Sequence, residues 1–507
     1  MERQFTKEIE SLRLGDGETF HGEGILAVTK ALLQSGVSYV GGYQGAPVSH
    51  LLDVMVQAKD YLDELGVHVE ACTSEASAAA MLGASINYPA RGAVTWKSIV
   101  GTNVAADALS YLASAGVMGG TLIVLGEDYG EGGVVAQERS HAFALKSLMW
   151  LLDPRPNLTT IVGMVERGFE LSEVSNTPVM MELRIRACHV RGSFKTRKNL
   201  APDISTTQKL DGPPKEFIYD RLAHPPATFR QEKLKSDVRL PAARQFILEK
   251  RLNEVFPGGE NVGVIVQGGL FNGLMLALRT LGLADQFGAS RIPILALNVV
   301  YPLVPEEIIE FSKTKTAVLV LEEGQPEFIE QEVATLLRRA RVGAELHGKD
   351  CVHMAGEYNV EAMVRGLARF LGMHVAHLDT SAGSAWLDSV QGTKKKATAL
   401  LGALPARPPT FCVGCPERPV FSAMKLVAQD IGRPHVSMDV GCHAFASFEP
   451  FSQGNTLLGY GMSLAAAAGV GPMSARRPVS VMGDGGFWHN GLLSGVASNL
   501  LNKGDGV

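Results

Sequence analysis

An aspartate stands among glycines directly after an apolar run in "VSVMGDGGFWHN", residues 479–490. A strand that enters this G-D-G-G segment and continues as a helix would present backbone N–H groups and the positive end of the helix dipole at one point. An anion can approach such a backbone closely because glycine has no Cβ. A carboxylate beside it suits Mg²⁺, which commonly takes one or two protein oxygens together with phosphate oxygens. The pattern indicates either a Mg-diphosphate site at Asp484 or a plain Asp-Gly turn.

Three of the six cysteines lie near the carboxyl end of the chain, at Cys412, Cys415 and Cys442. A C-x-x-C pair followed by a third thiol offers soft ligands, one short of the four that an iron–sulfur cluster or structural zinc takes. The spacing leaves a cluster, zinc and inert thiols open. The other cysteines are isolated, a setting in which cysteine is usually a small buried hydrophobe: Cys72, Cys188 and Cys351.

Three further polar residues could take part in chemistry. Glu75 opens the small-residue helical pattern "SEASAAAMLGASINY"; it could simply pair with the helix dipole, or could transfer protons if its pocket is dry and uncharged. Lys97 follows the strand-like run "RGAVTW" and could meet a substrate carboxylate or merely border solvent. His443, next to Cys442, could bind phosphate or move protons, or could be a hydrogen-bonded structural imidazole.

The composition limits the class of protein. A chain of 507 residues with 46% hydrophobic and 20% charged content has room for about three domains and is typical of a soluble globular protein. A formal net charge of -5 argues against nucleic acid or an anionic membrane as the main partner. The N-terminal "MERQFTKEIE" lacks the apolar core of a signal peptide, and no run reaches the roughly 18 to 20 apolar residues of a membrane span. We therefore expect the protein to be located in the cytoplasm.

Short apolar, β-branched runs alternate with helical patterns along the whole chain, which predicts an α/β fold with several doubly wound parallel sheets. Candidate strands include "VSYVGG", "RGAVTW", "GTLIVLGE", "NVGVIVQGG", "IPILALNV", "TAVLVLEE" and "PVSVMGDGG". Two stretches without periodicity are predicted to be linkers, 196–240 and 379–409. They separate α/β domains at 1–195, 241–378 and 410–507, the last of which is expected to be incomplete at its C-terminal end.

Several motifs resemble the alpha subunits of indolepyruvate ferredoxin oxidoreductases, which belong to the 2-oxoacid:ferredoxin oxidoreductase family. "GGYQGAPVSHLLDVM" and "TWKSIVGTNVAADALSYL" are similar to the family's Y-P-G-T-P and K-x-x-G-x-N-V-A-A-D segments. "TFCVGCPERPVF" and "SMDVGCHAF" are similar to its F-C-P-G-C-P-H-R segment and D-I-G-C turn. "VGVIVQGGLFNGLMLALRTLG" is similar to its transketolase C-terminal-like domain. Several motifs that occur in the same order as in the family are much more specific evidence for a relationship than any single motif.

The resemblance implies pyrimidine and diphosphate domains of the thiamine diphosphate-binding fold, with the transketolase C-terminal-like domain between them. The implied reaction is oxidative decarboxylation of an aryl, indolepyruvate-like or branched 2-oxo acid to acyl-CoA and CO₂, with electrons passed through iron–sulfur clusters to ferredoxin. Thiamine diphosphate, Mg²⁺ and a [4Fe–4S] cluster are the implied cofactors, and coenzyme A is the co-substrate. The implied partners are a smaller second subunit and ferredoxin, with two heterodimers paired. The rival interpretations are a non-oxidative thiamine diphosphate-dependent decarboxylase and a cofactor-free scaffold subunit.

The resemblance also assigns roles to residues. Glu75 would form a hydrogen bond with the aminopyrimidine ring, and Asp484 would bind Mg²⁺. The three clustered thiols would bind the iron–sulfur cluster: Cys412, Cys415 and Cys442. Glu75 and Lys97 are the catalytic candidates. The cofactor-binding candidates are Gly45, Glu75, Gly441, His443, Gly483, Asp484, Gly485 and Gly486.

Two features qualify the match. A second Mg²⁺ ligand and a fourth cluster cysteine are expected after Val507. The loop after the first predicted strand departs from the family pattern, because Gln44, Ala46 and His50 stand where the family has Pro, Thr and often Glu. Since the family threonine contacts the 2-oxo acid, this loop is where we expect the substrate preference to differ.

Overall fold

A computed structural model describes residues 4–130, 136–211, 218–375, 377–402 and 409–506. The chain forms two compact units, Met1–Thr393 and Lys394–Val507. Among the described residues, no helix combines the length and the apolar character that a membrane span requires.

The first unit is built on two largely parallel sheets. Its strands are β1 (Thr19–Glu23), β2 (Tyr39–Gly42), β3 (His68–Ala71), β4 (Gly92–Lys97), β5 (Thr121–Gly126), β6 (Trp150–Leu152), β7 (Val179–Leu183), β8 (Arg191–Lys195), β9 (Glu254–Phe256), β10 (Val262–Gln267), β11 (Ile294–Leu297), β12 (Val299–Tyr301), β13 (Ala317–Leu321) and β14 (Glu345–His347). Seven strands form a sheet in the order β12-β6-β7-β5-β4-β2-β3, and five form a sheet in the order β14-β13-β10-β11-β9. β1 and β8 make a separate antiparallel pair.

Helices connect these strands. They are α1 (Thr6–Leu12), α2 (Gly24–Gln34), α3 (Ser49–Gln57), α4 (Lys59–Leu65), α5 (Glu75–Met81), α6 (Ala84–Asn87), α7 (Ser98–Val104), α8 (Ala106–Ala115), α9 (Ser140–Ser147), α10 (Leu158–Ser175), α11 (Ile185–Cys188), α12 (Ala227–Leu234), α13 (Leu240–Lys250), α14 (Phe271–Thr280), α15 (Pro305–Ser312), α16 (Phe328–Ala340) and α17 (Val360–His374). A further helix, α18 (Ser381–Leu401), begins in the first unit and ends in the second. Short 3-10 turns cover Tyr219–Arg221 and Gly268–Leu270, and a π-helical turn covers Lys235–Arg239.

The central strands are continuous apolar runs because helices cover both faces of a parallel sheet. Every residue of β5, "TLIVLG", and of β10, "VGVIVQ", is buried. All seven predicted strand segments contain an observed strand, and β2, β4, β5 and β7 are parallel neighbours. The predicted α/β class with parallel sheets is confirmed.

The apolar run 294–301 contributes one strand to each of the two large sheets. β11 pairs with β10 in the five-stranded sheet, and β12 pairs antiparallel with β6 in the seven-stranded sheet. Asn298 separates these two strands: its Oδ1 accepts a hydrogen bond from the Arg155 N–H at 2.9 Å, and its Nδ2 donates to the Leu252 carbonyl at 2.8 Å. The two sheets of the first unit are therefore joined through backbone pairing.

The predicted domain boundaries stay predictions. Both predicted linkers contain helices: α12 lies within 196–240, and α18 lies within 379–409. Residues 212–217 and 403–408 of these segments lie outside the described residues.

The second unit contains a small parallel sheet. Its strands are β15 (Val436–Met438), β16 (Thr456–Leu457) and β17 (Val479–Val481), in the order β16-β15-β17. Its helices are α19 (Glu417–Ile431), α20 (Ser463–Val470), α21 (Asp484–Gly486) and α22 (Ser498–Leu501), with 3-10 turns at Cys442–Ser447 and Gly471–Met473. A π-helical segment, Phe487–Ala497, makes α21 and α22 one continuous helical run. The core of this unit is Phe411, Phe421, Val436, Met438, Ala446 and Phe451.

Candidate functional site

The G-D-G-G segment is the predicted turn from a strand into a helix. β17 ends at Val481 and α21 begins at Asp484, while Gly483 is extended, with φ -76° and ψ 161°. The Gly483 carbonyl accepts a hydrogen bond from the Phe487 N–H at 2.8 Å. The Asp484 side chain is exposed, and its Oδ1 accepts from the Gly485 N–H at 2.8 Å. A solvent-facing carboxylate therefore stands in the first turn of the helix.

A second, buried carboxylate supports this turn. Asp439 directly follows β15 and is completely buried. Its Oδ2 accepts a hydrogen bond from the Gly461 N–H at 2.6 Å, and its Oδ1 lies 2.6 Å from His443 Nε2. A Cβ on Gly486 would come within 2.1 Å of Asp439 Oδ2. Because β15 and β17 are parallel neighbours, their carboxyl ends bring these residues to one edge of the sheet.

His443 lies against the glycine turn. A Cβ on Gly441 would come within 2.5 Å of His443 Cε1, and one on Gly483 would be 3.7 Å from the same atom. Burial acts to lower the pKa of His443, but its hydrogen bond and charge attraction to Asp439 outweigh burial and raise that pKa above its ordinary value. The structure thus groups Gly441, His443 and the G-D-G-G segment. The sequence analysis did not single out Asp439. Its signal in the sequence is an acidic residue directly after the strand-like "VSM".

The cysteines divide into two groups. The isolated ones are buried as predicted: Cys72, Cys188 and Cys351. Cys412 and Cys442 are exposed and Cys415 is partly exposed. The Cys415 N–H donates to the Cys412 carbonyl at 3.1 Å, and Gly414 in this turn has φ +75°.

Cys442 is electrostatically coupled to the C-x-x-C turn. Burial, then Glu417, Cys412 and Cys415, raises the pKa of the Cys442 thiol. Among the described residues, two groups of three potential metal ligands have all their ligand atoms within 4.8 Å of one another. Neither group contains Cys412, Cys415 or Cys442.

The candidates in the first unit lie along one edge of the seven-stranded sheet. Glu75 follows β3, Gly45 follows β2, and Lys97 ends β4. These three strands are parallel neighbours, so their carboxyl ends meet at the same edge. Ligands of open α/β sheets bind outside the carboxyl ends of the strands.

Glu75 is the first residue of α5 and is only 2% exposed. Ser74 caps this helix, because its side-chain oxygen accepts a hydrogen bond from the Ser77 N–H. Small residues allow the helix to approach the sheet closely, and a Cβ on Gly41 of β2 would come within 2.7 Å of Met81 Sδ. A carboxyl group held in a dry position suits proton transfer to a bound molecule.

Gly45 and Lys97 are in direct contact. A Cβ on Gly45 would lie 2.6 Å from Lys97 Cβ and 2.8 Å from its backbone nitrogen, so the loop after β2 crosses the end of β4. Burial lowers the pKa of Lys97, and the charge of Asp128 offsets this only in part. Asp128, which sequence reasoning missed, is itself buried and accepts a hydrogen bond from the Ile185 N–H at 2.8 Å. Burial raises its pKa despite that bond and the nearby Lys97.

His50, in the loop that departs from the family pattern, lies beside Glu23. Its Nδ1 is 3.8 Å from Glu23 Oε2, and the same carboxylate oxygen lies 2.8 Å from His189 Nδ1. His50 therefore belongs to a polar cluster shared with the segment after α11.

A buried charge network links the carboxyl ends of both large sheets. Arg184 Nη1 lies 2.6 Å from Asp153 Oδ1, and Arg184 Nε lies 2.7 Å from Glu323 Oε2. Arg139 Nη1 lies 2.6 Å from Glu322 Oε1. All five side chains are at most 3% exposed. Sequence reasoning found none of them, because each arginine and its glutamate are more than 130 residues apart.

No protein-family model matches the chain. It is 26% identical over 489 residues to the indolepyruvate oxidoreductase subunit IorA of Methanothermobacter thermautotrophicus, covering 95% of this chain and 73% of that protein. It is 25% identical over 486 residues to IorA of Archaeoglobus fulgidus and 24% identical over 503 residues to IorA of Pyrococcus horikoshii, with 95% of this chain covered in each case. The chain is a homologue of the IorA subunits. The resemblance predicted from its motifs is confirmed.

A solved structure shares the fold. It is the 2-oxoglutarate:ferredoxin oxidoreductase from Magnetococcus marinus with 2-oxoglutarate, coenzyme A and succinyl-CoA bound. The match has a TM-score of 0.50 at 15% identity, and it covers 70% of this chain and 65% of that chain. Like the IorA homology, it agrees with the predicted fold class, while the roles of the individual site residues stay predictions.

Proposed function

We propose that the chain is the thiamine diphosphate-binding subunit of a ferredoxin-linked 2-oxoacid oxidoreductase. Its substrate would be an aryl, indolepyruvate-like or branched 2-oxo acid, converted with coenzyme A to acyl-CoA and CO₂. The observation that carries this proposal is the similarity to IorA over 95% of the chain. The Magnetococcus marinus enzyme, a ferredoxin oxidoreductase with coenzyme A bound, supports the same reaction class through its shared fold.

The glycine turn of the second unit fits a Mg-diphosphate group. Gly483 and Gly485 carry no Cβ at the start of a helical run, which lets an anion approach the backbone, while Gly486 lets the run pack against Asp439. The exposed Asp484 carboxylate would bind Mg²⁺ beside the phosphates. His443, whose pKa is raised by Asp439 although burial opposes this, lies against the turn and would border the phosphates.

The carboxyl edge of the first unit fits the rest of the reaction. Thiamine diphosphate, when bound, supplies the electron sink for the loss of CO₂ from a 2-oxo acid. Glu75 would hold a proton at a carboxyl oxygen for the aminopyrimidine ring, and its burial keeps water from that proton. Lys97 would bind the substrate carboxylate, and its contact with Gly45 holds the lysine backbone in place.

The three clustered thiols would bind a [4Fe–4S] cluster together with a further ligand. Two of them are exposed and the third is partly exposed, so the thiols are accessible to a cluster. A cluster accepts one electron at a time, as ferredoxin does. The remaining parts of the proposal are a smaller second subunit and the pairing of two heterodimers.

Turnover by the complete complex tests the proposal. The chain would be produced with its second subunit, and ferredoxin reduction would be followed after addition of indolepyruvate or a branched 2-oxo acid with coenzyme A. We expect Glu75→Gln to lower kcat at least about 100-fold, with thiamine diphosphate affinity nearly unchanged. The control is Glu64→Gln, an exposed glutamate of α4 that pairs with Arg13. CO₂ release that needs neither coenzyme A nor iron would instead identify a non-oxidative decarboxylase.

A further inference from the structure

Three potential metal ligands converge in the first unit, away from the residues discussed so far. Glu345 and His347 are the first and last residues of the edge strand β14, and His374 is the last residue of α17. His347 Nε2 lies 2.8 Å from His374 Nε2 and 3.4 Å from Glu345 Oε1. The three ligand atoms all lie within 4.8 Å of one another.

Asp350 orients the His347 ring through its other ring nitrogen. His347 Nδ1 lies 2.7 Å from Asp350 Oδ2, and Asp350 Oδ1 accepts a hydrogen bond from the Gly348 N–H at 2.8 Å. An ionised carboxylate can only accept, so Nδ1 carries the proton. In the neutral ring the lone pair is then on Nε2, the atom that faces His374 and Glu345. A carboxylate behind a histidine in this way is the usual outer partner of a metal-bound imidazole.

The surroundings hold this arrangement in place. The His347 side chain is 9% exposed, and its ring lies edge-on near the Phe370 ring of α17 with a centroid distance of 5.7 Å. The His374 ring lies 5.4 Å from the same Phe370 ring. The Glu345 side chain, in contrast, is 66% exposed. An ion could therefore enter from the Glu345 side onto two positioned imidazoles.

We propose that Glu345, His347 and His374 bind a divalent transition-metal ion of the zinc class, with Asp350 as the positioning residue behind His347. Bonds of about 2.0 to 2.2 Å in a tetrahedral site separate neighbouring ligand atoms by about 3.3 Å. This separation falls between the two observed here, 2.8 and 3.4 Å. Two nitrogen ligands favour zinc-class ions over Mg²⁺ and Ca²⁺, which prefer oxygen. The ion would tie the edge strand to the end of α17, and the site does not depend on the proposed function.

The test measures zinc binding to the metal-free full chain, both by calorimetric titration and by the rise in Tm that bound Zn²⁺ causes. His374→Ala removes one ligand, and Glu345→Gln removes a charged ligand from an exposed position where folding is not at risk. His377→Ala is the matched control, since this exposed histidine three residues further along contacts Glu260 instead. Co²⁺ spectra separate this site from the cysteines, because only thiolate ligands give intense near-ultraviolet charge-transfer bands.

The wild-type chain and His377→Ala should bind one more equivalent of Zn²⁺ than His374→Ala, and Co²⁺ at that site should show visible bands without thiolate charge transfer. Asp350→Asn should lower the affinity for this Zn²⁺ ion about 10- to 100-fold. Glu345→Gln should lower the same affinity. Equal zinc stoichiometry and equal Tm shifts in the wild-type chain and in both ligand variants would overturn the proposal. The two imidazoles would then share only an N–H···N hydrogen bond.

Discussion

Gly486 and Asp439 lie so close that a Cβ on the glycine would come within 2.1 Å of Asp439 Oδ2. Asp439 is also fixed on its other side, where His443 Nε2 lies 2.6 Å from Oδ1. Both oxygens of the buried carboxylate therefore have close neighbours, and the helical run that starts at Asp484 packs tightly against the end of β15.

This contact predicts the effect of Gly486→Ala. The backbone of Gly486 is helical and would accept alanine, so the cost arises from the collision with Asp439 and should be about 1 to 3 kcal/mol of unfolding free energy. Gly469→Ala is the control, because a Cβ at this position would meet nothing within 4 Å and the change in α20 should stabilise by up to about 1 kcal/mol. Urea unfolding of the chain measures both. Equal stability of the two variants would contradict the contact.

Lys97→Met tests the proposed substrate contact. Loss of a charge-assisted hydrogen bond to the substrate carboxylate should raise KM for the 2-oxo acid about 10- to 100-fold, with a smaller change in kcat. Lys59→Met, at an exposed lysine that pairs with Asp63, should leave both constants unchanged. Steady-state ferredoxin reduction at varied 2-oxo acid concentration gives the two values. A Lys97→Met variant with wild-type KM would remove this lysine from substrate binding.

Lys30 gives the first unit a pH-dependent stability. It is completely buried, and Nζ donates to Asn199 Oδ1 at 2.6 Å and to the Leu12 carbonyl at 3.1 Å. Burial lowers its pKa to about 8, with Glu18 opposing the shift. Between this value and the ordinary 10.5 the unfolded chain binds more protons than the folded chain, so stability rises with pH across that window.

Lys30→Met should remove that slope. Between pH 8 and pH 10, the wild-type unfolding free energy should rise relative to the variant by no more than about 1 kcal/mol per pH unit. Below about pH 7 the difference between the two proteins should be constant. Denaturant unfolding at several pH values provides the measurement, and parallel pH profiles above pH 8 would show that Lys30 does not titrate there.

The sequence predicted the elements whose signals are local. β5 and β10 are apolar runs buried on both faces, and the G-D-G-G turn combines a strand end with glycines that allow a close approach. Glu75 and Lys97 could be singled out because each adjoins such a strand or helix pattern.

Pairings between distant segments could not be predicted. β1 and β8 are short and largely polar, and they pair across almost the whole predicted first domain. Asp439 becomes a partner of His443 only once β15 and β17 lie side by side. Small, polar and basic residues dominate α18 and therefore predict a linker. Gly383 is its one buried residue among those described, and Trp386 and Leu387 are only partly buried against the core, so the apolar signal of this helix is weak.

The central claim is that Asp484 anchors a Mg-diphosphate group, and titration of thiamine diphosphate into the assembled complex tests it most directly. We predict saturable binding that requires Mg²⁺, lost or weakened at least about 10-fold by Asp484→Asn because Mg²⁺ uses few protein oxygens. Asp430→Asn, at an exposed aspartate of α19, should bind like the wild-type chain. Binding without Mg²⁺ dependence, or equal affinity in Asp484→Asn and Asp430→Asn, would contradict the account.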